Sequence, residues 1–326
     1  MKILLWHVHG SWTTAFVQGS HEYVVPVVPG RTPDGLGRAL TWTWPTSVRE
    51  AEPGALRDEE VDLVVLQRPH EAELLETWTG LRAGIDVPAV YCEHNTPGGS
   101  VPFTRHPLAE QAVIPVVHVT HFNQLFWDCG AAPTTVVEHG IVDPGYLYTG
   151  ELPRAAICVN DPLRRGRAVG ADLFAPLSQA APLDVFGLRV EGLGQALGLG
   201  AQRVRSFDDV RQHEMHAALA HRRVYVHTAR WTSLGLSLLE AMQLGMPVVA
   251  LATTESIRAV PPEAGILSTR VDDLVDAVAM FIEEPERASA MGQASRMVAL
   301  DRYGLARFLT DWDALLSEAR EQQQHH

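Results

Sequence analysis

The sequence predicts an α/β protein made of two successive doubly wound domains, each a parallel sheet covered by helices. Short apolar runs alternate with amphipathic segments of helix length along the chain, which is the pattern of buried parallel sheets. A length of 326 residues is long for one hydrophobic core and comfortable for two. Residues 142–153 contain two prolines and two glycines, interrupt the alternation and are the predicted linker. The predicted domains are therefore residues 1–150 and 151–305.

Ten apolar runs are predicted as strands because each is short and is followed by turn-forming or polar residues. The runs in the first half are residues 3–8, 23–28, 63–66, 89–92, 116–119 and 135–138. Those in the second half are residues 156–159, 183–186, 224–227 and 247–251. Periodicity predicts helices over residues 271–283, 286–298 and 306–320. Two Rossmann-like sheets are the simplest account of this order.

The composition narrows the classes of partner and compartment. With 46% hydrophobic and 20% charged residues the chain is globular, and its net charge of −13 argues against a nucleic-acid partner, which requires a basic face. Its three cysteines, Cys92, Cys129 and Cys158, lie beside apolar runs and predict buried thiols in a reducing compartment. We find no cleavable leader and no apolar run of about 20 residues. We therefore expect a cytoplasmic protein, with peripheral membrane contact and the oligomeric state left open.

The segment from Thr232 to Ala250, TSLGLSLLEAMQLGMPVVA, is the most informative part of the chain. It combines a glycine turn, a helix that carries Glu240, a Gly-Met-Pro break and an apolar strand. A carboxylate on such a helix can accept hydrogen bonds from a ribose diol, and the helix N-terminus offers unpaired N–H groups to phosphate. A lone glutamate also fits the solvated face of an amphipathic helix, but the order of the surrounding elements favours nucleotide contact.

Polar or small residues follow three other predicted strands. The RRGR loop at residues 164–167 offers guanidinium groups that can stabilise a diphosphate, although a solvated basic loop would look similar. Gly10 and Ser11 form a small-residue turn through which backbone N–H groups can approach a phosphate or a sugar, although a simple strand-to-helix turn would look similar. His94 ends another strand and can hydrogen-bond a sugar hydroxyl, or it is an ordinary loop histidine. Ligands of open parallel sheets bind at these strand ends, which predicts a shared cleft.

The segment from Thr232 to Ala250 resembles the signature of the retaining glycosyltransferases of family 4. Residues 116–143 extend the resemblance, because they end in His-Gly-Ile-Val-Asp where the family has an Asn-Gly-Val-Asp motif. The resemblance implies the GT-B fold, in which two Rossmann-like domains face each other across a cleft. It also implies that the last helix, residues 306–322, crosses back to the N-terminal domain.

By the same resemblance, the activity is retaining transfer of a sugar, of the hexosyltransferase type. The donor is a nucleotide-diphosphate sugar, UDP- or GDP-linked, and the acceptor is a hydroxyl of a glycan, a lipid-linked compound or a small molecule. The implied pathway is glycan or cell-envelope polysaccharide synthesis. Such enzymes use neither a bound metal nor a protein nucleophile, so no cofactor is expected beyond the donor substrate.

The resemblance also assigns roles to individual residues. Arg164 and Arg165 stabilise the leaving diphosphate, His94 orients the donor sugar, and Glu240 holds the ribose. The remaining donor-binding residues are those of the first turn and of the loop before the Glu240 helix: Gly10, Ser11, Thr232, Ser233, Leu234, Gly235 and Leu236.

Thr232 departs from the family, which has a second glutamate at this position, eight residues before Glu240. A threonine hydroxyl is shorter and neutral, and losing a charged acceptor costs about 1.5–3 kcal/mol. Either the donor sugar presents different hydroxyls, or another group such as Glu255 substitutes, or transfer is weak. Two alternatives therefore stay open: a nucleotide-sugar 2-epimerase of the same fold, and a non-catalytic protein that binds nucleotide sugars or glycans.

Two further patterns concern the acceptor and metals. Trp42 and Trp44 lie in TWTWP, whose alternation and proline predict an exposed segment. Their indoles either stack on an acceptor or belong to the core, where tryptophans are more common. The Asp-Trp-Asp run at residues 311–313 fits a DxD metal-binding pattern, but it lies in a predicted helix and not after a strand. The His-Glu-Met-His run at residues 213–216 is one residue short of the HExxH spacing that places two zinc-binding histidines on one face of a helix. The sequence predicts no metal site.

Overall fold

The computed structural model describes residues 1–324, which form two compact units. Unit 1 contains Met1–Val142 and the chain from Leu305 onward, and unit 2 contains Asp143–Gly304. The division falls before the predicted boundary at residue 150 because the linker is hydrogen-bonded to unit 2. The backbone N–H of Tyr148 donates to the Leu244 carbonyl at 3.1 Å, for example.

Unit 1 is built on a seven-stranded parallel sheet in the order β3-β2-β1-β4-β5-β6-β7. Its strands are β1 (Lys2–Leu5), β2 (Glu22–Pro26), β3 (Val48–Ala51), β4 (Leu63–Leu66), β5 (Ala89–Glu93), β6 (Val116–His118) and β7 (Thr134–Val136). The central strand β4 is LVVL with every residue buried. Both faces of a parallel sheet are covered, so its central strands are continuous apolar runs.

Three helices connect the strands of unit 1. They are α1 (Gly10–Phe16), α2 (Glu71–Thr79) and α3 (His121–Phe126). Thr120 caps α3 by accepting the Asn123 backbone N–H at 3.0 Å, and Gly80 ends α2 in the left-handed conformation. These are the ordinary start and stop signals of helices.

Unit 2 contains a six-stranded parallel sheet in the order β10-β9-β8-β11-β12-β13. Its strands are β8 (Leu152–Cys158), β9 (Leu183–Gly187), β10 (Val204–Asp208), β11 (Arg222–His227), β12 (Val248–Leu251) and β13 (Gly265–Ser268). The order reverses between β8 and β11, which is the switch point where ligands of such sheets bind. Both predicted Rossmann-like sheets are therefore present.

The helices of unit 2 cover both faces of its sheet. They are α4 (Pro162–Arg165), α5 (Phe174–Ala180), α6 (Leu193–Ala196), α7 (Gln212–Ala220), α8 (Leu236–Leu244), α9 (Ser256–Ala259), α10 (Val271–Glu283) and α11 (Pro285–Tyr303). One face carries a hydrophobic cluster that includes Val224, Val226 and Phe281. Gly245 ends α8 in the left-handed conformation with φ 90°, where a side chain would be strained.

The last helix, α12 (Leu305–Gln324), belongs to unit 1, which confirms the predicted return of the chain. Its Phe308 and Trp312 are buried, and the indole of Trp312 lies 5.5 Å from that of Trp12 in α1, measured between ring centroids. Edge-to-face aromatic packing of this kind fixes the helix against the unit. None of the helices described over residues 1–324 is long and apolar enough to cross a membrane.

Candidate functional site

The two motifs of unit 2 follow neighbouring strands and are hydrogen-bonded to each other. The arginine loop, residues 164–170, follows β8, and the glycine loop, residues 228–235, follows β11. The hydroxyl of Thr228 donates to the Val169 carbonyl at 2.7 Å, and the Trp231 N–H donates to the Ala168 carbonyl at 3.1 Å. Gly170 allows this approach, because a β-carbon there would lie 2.1 Å from the Thr228 carbonyl oxygen. The structure therefore brings the two predicted motifs together.

The loop after β12 joins the same group. The hydroxyl of Thr253 donates to the Ala229 carbonyl at 2.8 Å. Thr254 has a φ of 49°, in the left-handed region that a β-branched residue rarely adopts. Glu255 is buried, and its Oε1 lies 2.9 Å from Arg258 Nε and 3.7 Å from an Arg302 nitrogen. The predicted substitute for the missing glutamate is thus already paired with two arginines.

Glu240 lies inside α8, on the side that faces α7. The carboxylate is 3% exposed, and it accepts the Gln212 amide at Oε1 and faces His216 Nε2 at Oε2, both at 3.2 Å. The helix itself begins at Leu236, with Gly235 as its N-cap residue. The sequence indicated neither Gln212 nor His216, because these residues belong to another helix.

The two arginines differ in their surroundings. Arg164 is exposed and pairs through Nε with Asp161, which also accepts Arg189 at 3.1 Å. Within residues 1–324, the Arg165 guanidinium has no hydrogen-bond or ion-pair partner. Arg165 is exposed like Arg164, and partial desolvation of its guanidinium together with the neighbouring Arg164 lowers its pKa. Arg165 is therefore the cation of this loop that a ligand can engage without displacing an ion pair.

Thr232, Ser233 and Leu234 lie in the second half of the glycine loop, just before α8. Thr232 is partly exposed, whereas Ser233 and Leu234 are buried. The N-cap Gly235 has extended backbone, no side chain caps α8, and its first turn contains no acidic residue. The first N–H groups of a helix lack intrahelical partners, so this end of α8 can bind an anion.

The other predicted site residues lie in unit 1, where His94 is buried and fixed by Gln67. The Gln67 amide nitrogen donates to the Trp6 carbonyl at 2.6 Å. This bond fixes the orientation of the amide, and the Gln67 Oε1 atom lies 3.0 Å from His94 Nε2. An amide oxygen only accepts, so His94 Nε2 carries the proton. Burial, followed by His9 and His139, lowers the pKa of His94 well below its usual value, so the ring is neutral with Nδ1 as an acceptor.

Two histidines that the sequence did not single out as site residues surround His94. The rings of His9 and His94 have centroids 4.1 Å apart. Burial lowers the pKa of His9 to about 4 and that of His139 to about 3. Both ring nitrogens of His139 are sealed without a partner. Neutral imidazoles therefore gather at the carboxyl ends of β1, β5 and β7.

Trp42 and Trp44 differ in exposure, and the predicted exposure is wrong for Trp44. Its indole is 6% exposed and donates Nε1–H to the Thr14 hydroxyl at 2.8 Å. This bond satisfies the polar edge of a buried indole. Trp42 is partly exposed and lies over the first turn, because a β-carbon on Gly10 would be 3.1 Å from its ring. The turn of Gly10 and Ser11 begins α1 beneath that indole.

Cysteines and metal ligands form no further centre in the part of the chain that the structure describes. All three cysteines are free; Cys92 and Cys129 are buried, and Cys158 is half-buried. No group of three or more histidine, cysteine or acidic side chains within residues 1–324 could hold a metal ion. A cavity of about 940 Å³ lies beside the edge strand β10, lined by residues between Glu191 and Asp208.

The comparison with protein families concerns unit 2. Residues 187–298 match the family model described as Glycosyl transferases group 1. The match includes the glycine loop, α7 and α8, and it ends before the last turn of α11. No curated protein sequence matches the chain.

Solved structures resemble the chain as a whole. Sucrose-phosphate synthase from Thermosynechococcus elongatus superposes with a TM-score of 0.73 at 15% identity, covering 98% of each chain. Anabaena HepE in complex with UDP-glucose superposes with a TM-score of 0.69 at 15% identity, and the match covers 98% of this chain and 100% of HepE. TarM gives 0.61 at 14% identity over 78% of this chain, which spans only 54% of TarM. The chain has the GT-B fold, as predicted.

Proposed function

We propose that the protein transfers a sugar, with retention, from a nucleotide-diphosphate sugar to a hydroxyl acceptor. The observation that carries this proposal is the hydrogen-bonded pair of loops after β8 and β11. It combines an unpaired guanidinium at Arg165 with the uncapped N-terminus of α8. A leaving diphosphate develops negative charge, and these are the groups that stabilise such charge. The match of residues 187–298 to a glycosyltransferase family supports the same assignment.

Glu240 completes the donor site in this proposal by holding the ribose. An ionised carboxylate has about four lone-pair positions, so the bonds from Gln212 and His216 do not exhaust its capacity to accept hydroxyls. The ribose diol supplies two such hydroxyls. The resemblance to family 4 and the crystal structures of HepE with UDP and UDP-glucose support a uridine or related nucleotide.

In this proposal, His94 and Trp42 of unit 1 bind the donor sugar and the acceptor. The neutral His94 accepts at Nδ1 and so suits a sugar hydroxyl better than a phosphate oxygen. The indole face of Trp42 suits the acceptor, whereas the buried Trp44 positions Thr14 and its own loop. We propose that transfer needs no metal: the leaving diphosphate helps take the acceptor proton, and the protein supplies alignment and charge stabilisation. The proposed setting is glycan or cell-envelope synthesis in the cytoplasm.

A panel of UDP-, GDP- and dTDP-sugars tests this function. The purified protein is mixed with each sugar and a hydroxyl acceptor in the presence of a chelator, and free nucleotide and the anomeric configuration of the product are measured. Acceptor-dependent release with retained configuration supports the proposal. Isomerisation without release would indicate a 2-epimerase, and binding without either would indicate a non-catalytic protein.

A further inference from the structure

His227 is a buried polar side chain that the proposed mechanism leaves unused. His227 is the last residue of β11 and is 7% exposed, and its imidazole forms no hydrogen bond within the described chain. The two ring nitrogens of His139 are sealed, but those of His227 are not among the sealed polar atoms. Part of the small exposed area of His227 is therefore its polar edge.

The imidazole of His227 lies directly against the N-terminus of α8. A β-carbon on Gly235, the N-cap residue, would be 2.6 Å from His227 Cε1 and 3.4–3.5 Å from the two ring nitrogens. The φ of Gly235 is −71°, which any residue adopts, so the glycine is needed for room and not for backbone conformation. The missing side chain lets the ring reach the first turn of a nine-residue helix.

At the N-terminus of α8, an anion meets the backbone N–H groups of the first turn and also the imidazole of His227. No side chain caps the helix. Its first turn contains no acidic residue, so no carboxylate there neutralises the positive end of the helix dipole. A neutral imidazole adds one N–H donor beside those groups. Burial alone lowers the pKa of His227 to about 4, so the ring is neutral at physiological pH.

We infer that His227 donates a hydrogen bond to the diphosphate of the nucleotide bound at the N-terminus of α8. This inference rests on the proposed function and adds to it a residue that binds the phosphate. The ring nitrogens of His227 have no partner within the described chain and are not sealed, so a phosphate oxygen can reach the ring and accept its N–H. The same bond would favour a diphosphate over a bare nucleoside.

Calorimetric titration with UDP, uridine and inorganic pyrophosphate tests the inference. His227→Leu removes the donor, and His227→Gln restores an N–H donor of similar reach. His118→Leu is the matched control, because His118 is a buried histidine of unit 1 whose pKa burial also lowers to about 4. We expect His227→Leu to weaken UDP and pyrophosphate binding by about tenfold or more, the loss of one hydrogen bond to a charged group. Uridine binding should be unchanged, and His227→Gln should recover most of the loss.

Thermal unfolding separates a binding role from a structural one. His227 makes no side-chain hydrogen bond within the described chain, so a binding role predicts that the apo His227→Leu variant melts no lower than the wild type, whereas a structural role predicts a lower melting temperature. Equal affinity of the wild type and His227→Leu for UDP would overturn the inference and leave the proposed function standing. Binding of pyrophosphate that depends on His227, without binding of any nucleotide, would overturn the proposed function instead. No binding of either probe by the wild type would overturn both.

Discussion

Glu240→Gln is the substitution that probes the donor site most sharply, because it keeps the shape of the side chain and removes one acceptor. In the wild type, donors from α7 face both carboxylate oxygens: Gln212 at Oε1 and His216 at Oε2, each at 3.2 Å. A glutamine presents one N–H₂ group in place of one oxygen. Whichever oxygen the N–H₂ group replaces, that group can accept nothing from the ribose.

The loss can be sized from these contacts. One ribose hydroxyl loses a charged acceptor and the other keeps a neutral one, which costs about 1.5–3 kcal/mol of binding free energy. The dissociation constant for UDP should therefore rise about 10- to 150-fold. Replacing the charged acceptor of the α7 side chains by a neutral amide also lowers the free energy of unfolding by about 1–3 kcal/mol, because Glu240 is only 3% exposed.

Titration calorimetry with UDP and with its 2′,3′-dideoxy analogue measures this effect. The wild type should prefer UDP, and Glu240→Gln should lose most of that preference while still binding the diphosphate. Urea unfolding of the same sample confirms that the variant is folded. A folded variant that binds UDP within twofold of the wild type would refute the placement of the ribose at Glu240.

Three further predictions follow from the same contacts. Arg165→Ala should reduce turnover more than donor affinity, measured as kcat against KM, because its unpaired guanidinium acts on charge that develops in the transition state; a change in KM alone would contradict this. Nitrogen NMR should find His94 as the Nε2–H tautomer, since the Gln67 oxygen can only accept, and an Nδ1–H tautomer would contradict the assignment. Burial holds the pKa of His118 and of His227 at about 4, below the ordinary 6.5, so the unfolded chain takes up protons first as the pH falls. Each should therefore cost about 3 kcal/mol of unfolding free energy between about pH 6.5 and 4, measured by urea unfolding, and a stability that does not fall over that range would contradict this.

The fold class, the central strands and the edge strand β7 could be predicted from the sequence, and the other three edge strands could not. Strand β4 is LVVL, and a run that is buried on both sides is visible without any tertiary information. The strands missing from the prediction are β3, β10 and β13, with sequences VREA, VRSFD and GILS. All three lie at sheet edges, where one side of the strand has no neighbour and polar residues are tolerated.

For the candidate site, residues that follow a predicted strand could be proposed from the local sequence, whereas contacts between distant residues could not be predicted. Arg165 and Glu240 could be proposed as site residues because each lies in or just after a turn that follows a predicted strand, which is visible in the local sequence. The bond between Glu240 and His216 could not, because it joins two helices 24 residues apart. The burial of Trp44 depends on Thr14, 30 residues earlier, so the alternation of TWTWP alone predicts exposure. The sequence around His227 is that of an ordinary strand end, because Gly235 lies against the ring only in the folded chain.

A crystal structure of the protein with bound UDP tests the central claim most directly. We predict that the diphosphate lies at the carboxyl ends of β8 and β11, in contact with Arg165 and the first turn of α8, and that the ribose lies at Glu240. A diphosphate bound elsewhere, such as in the cavity beside β10, or no bound nucleotide at saturating concentration, would contradict the account.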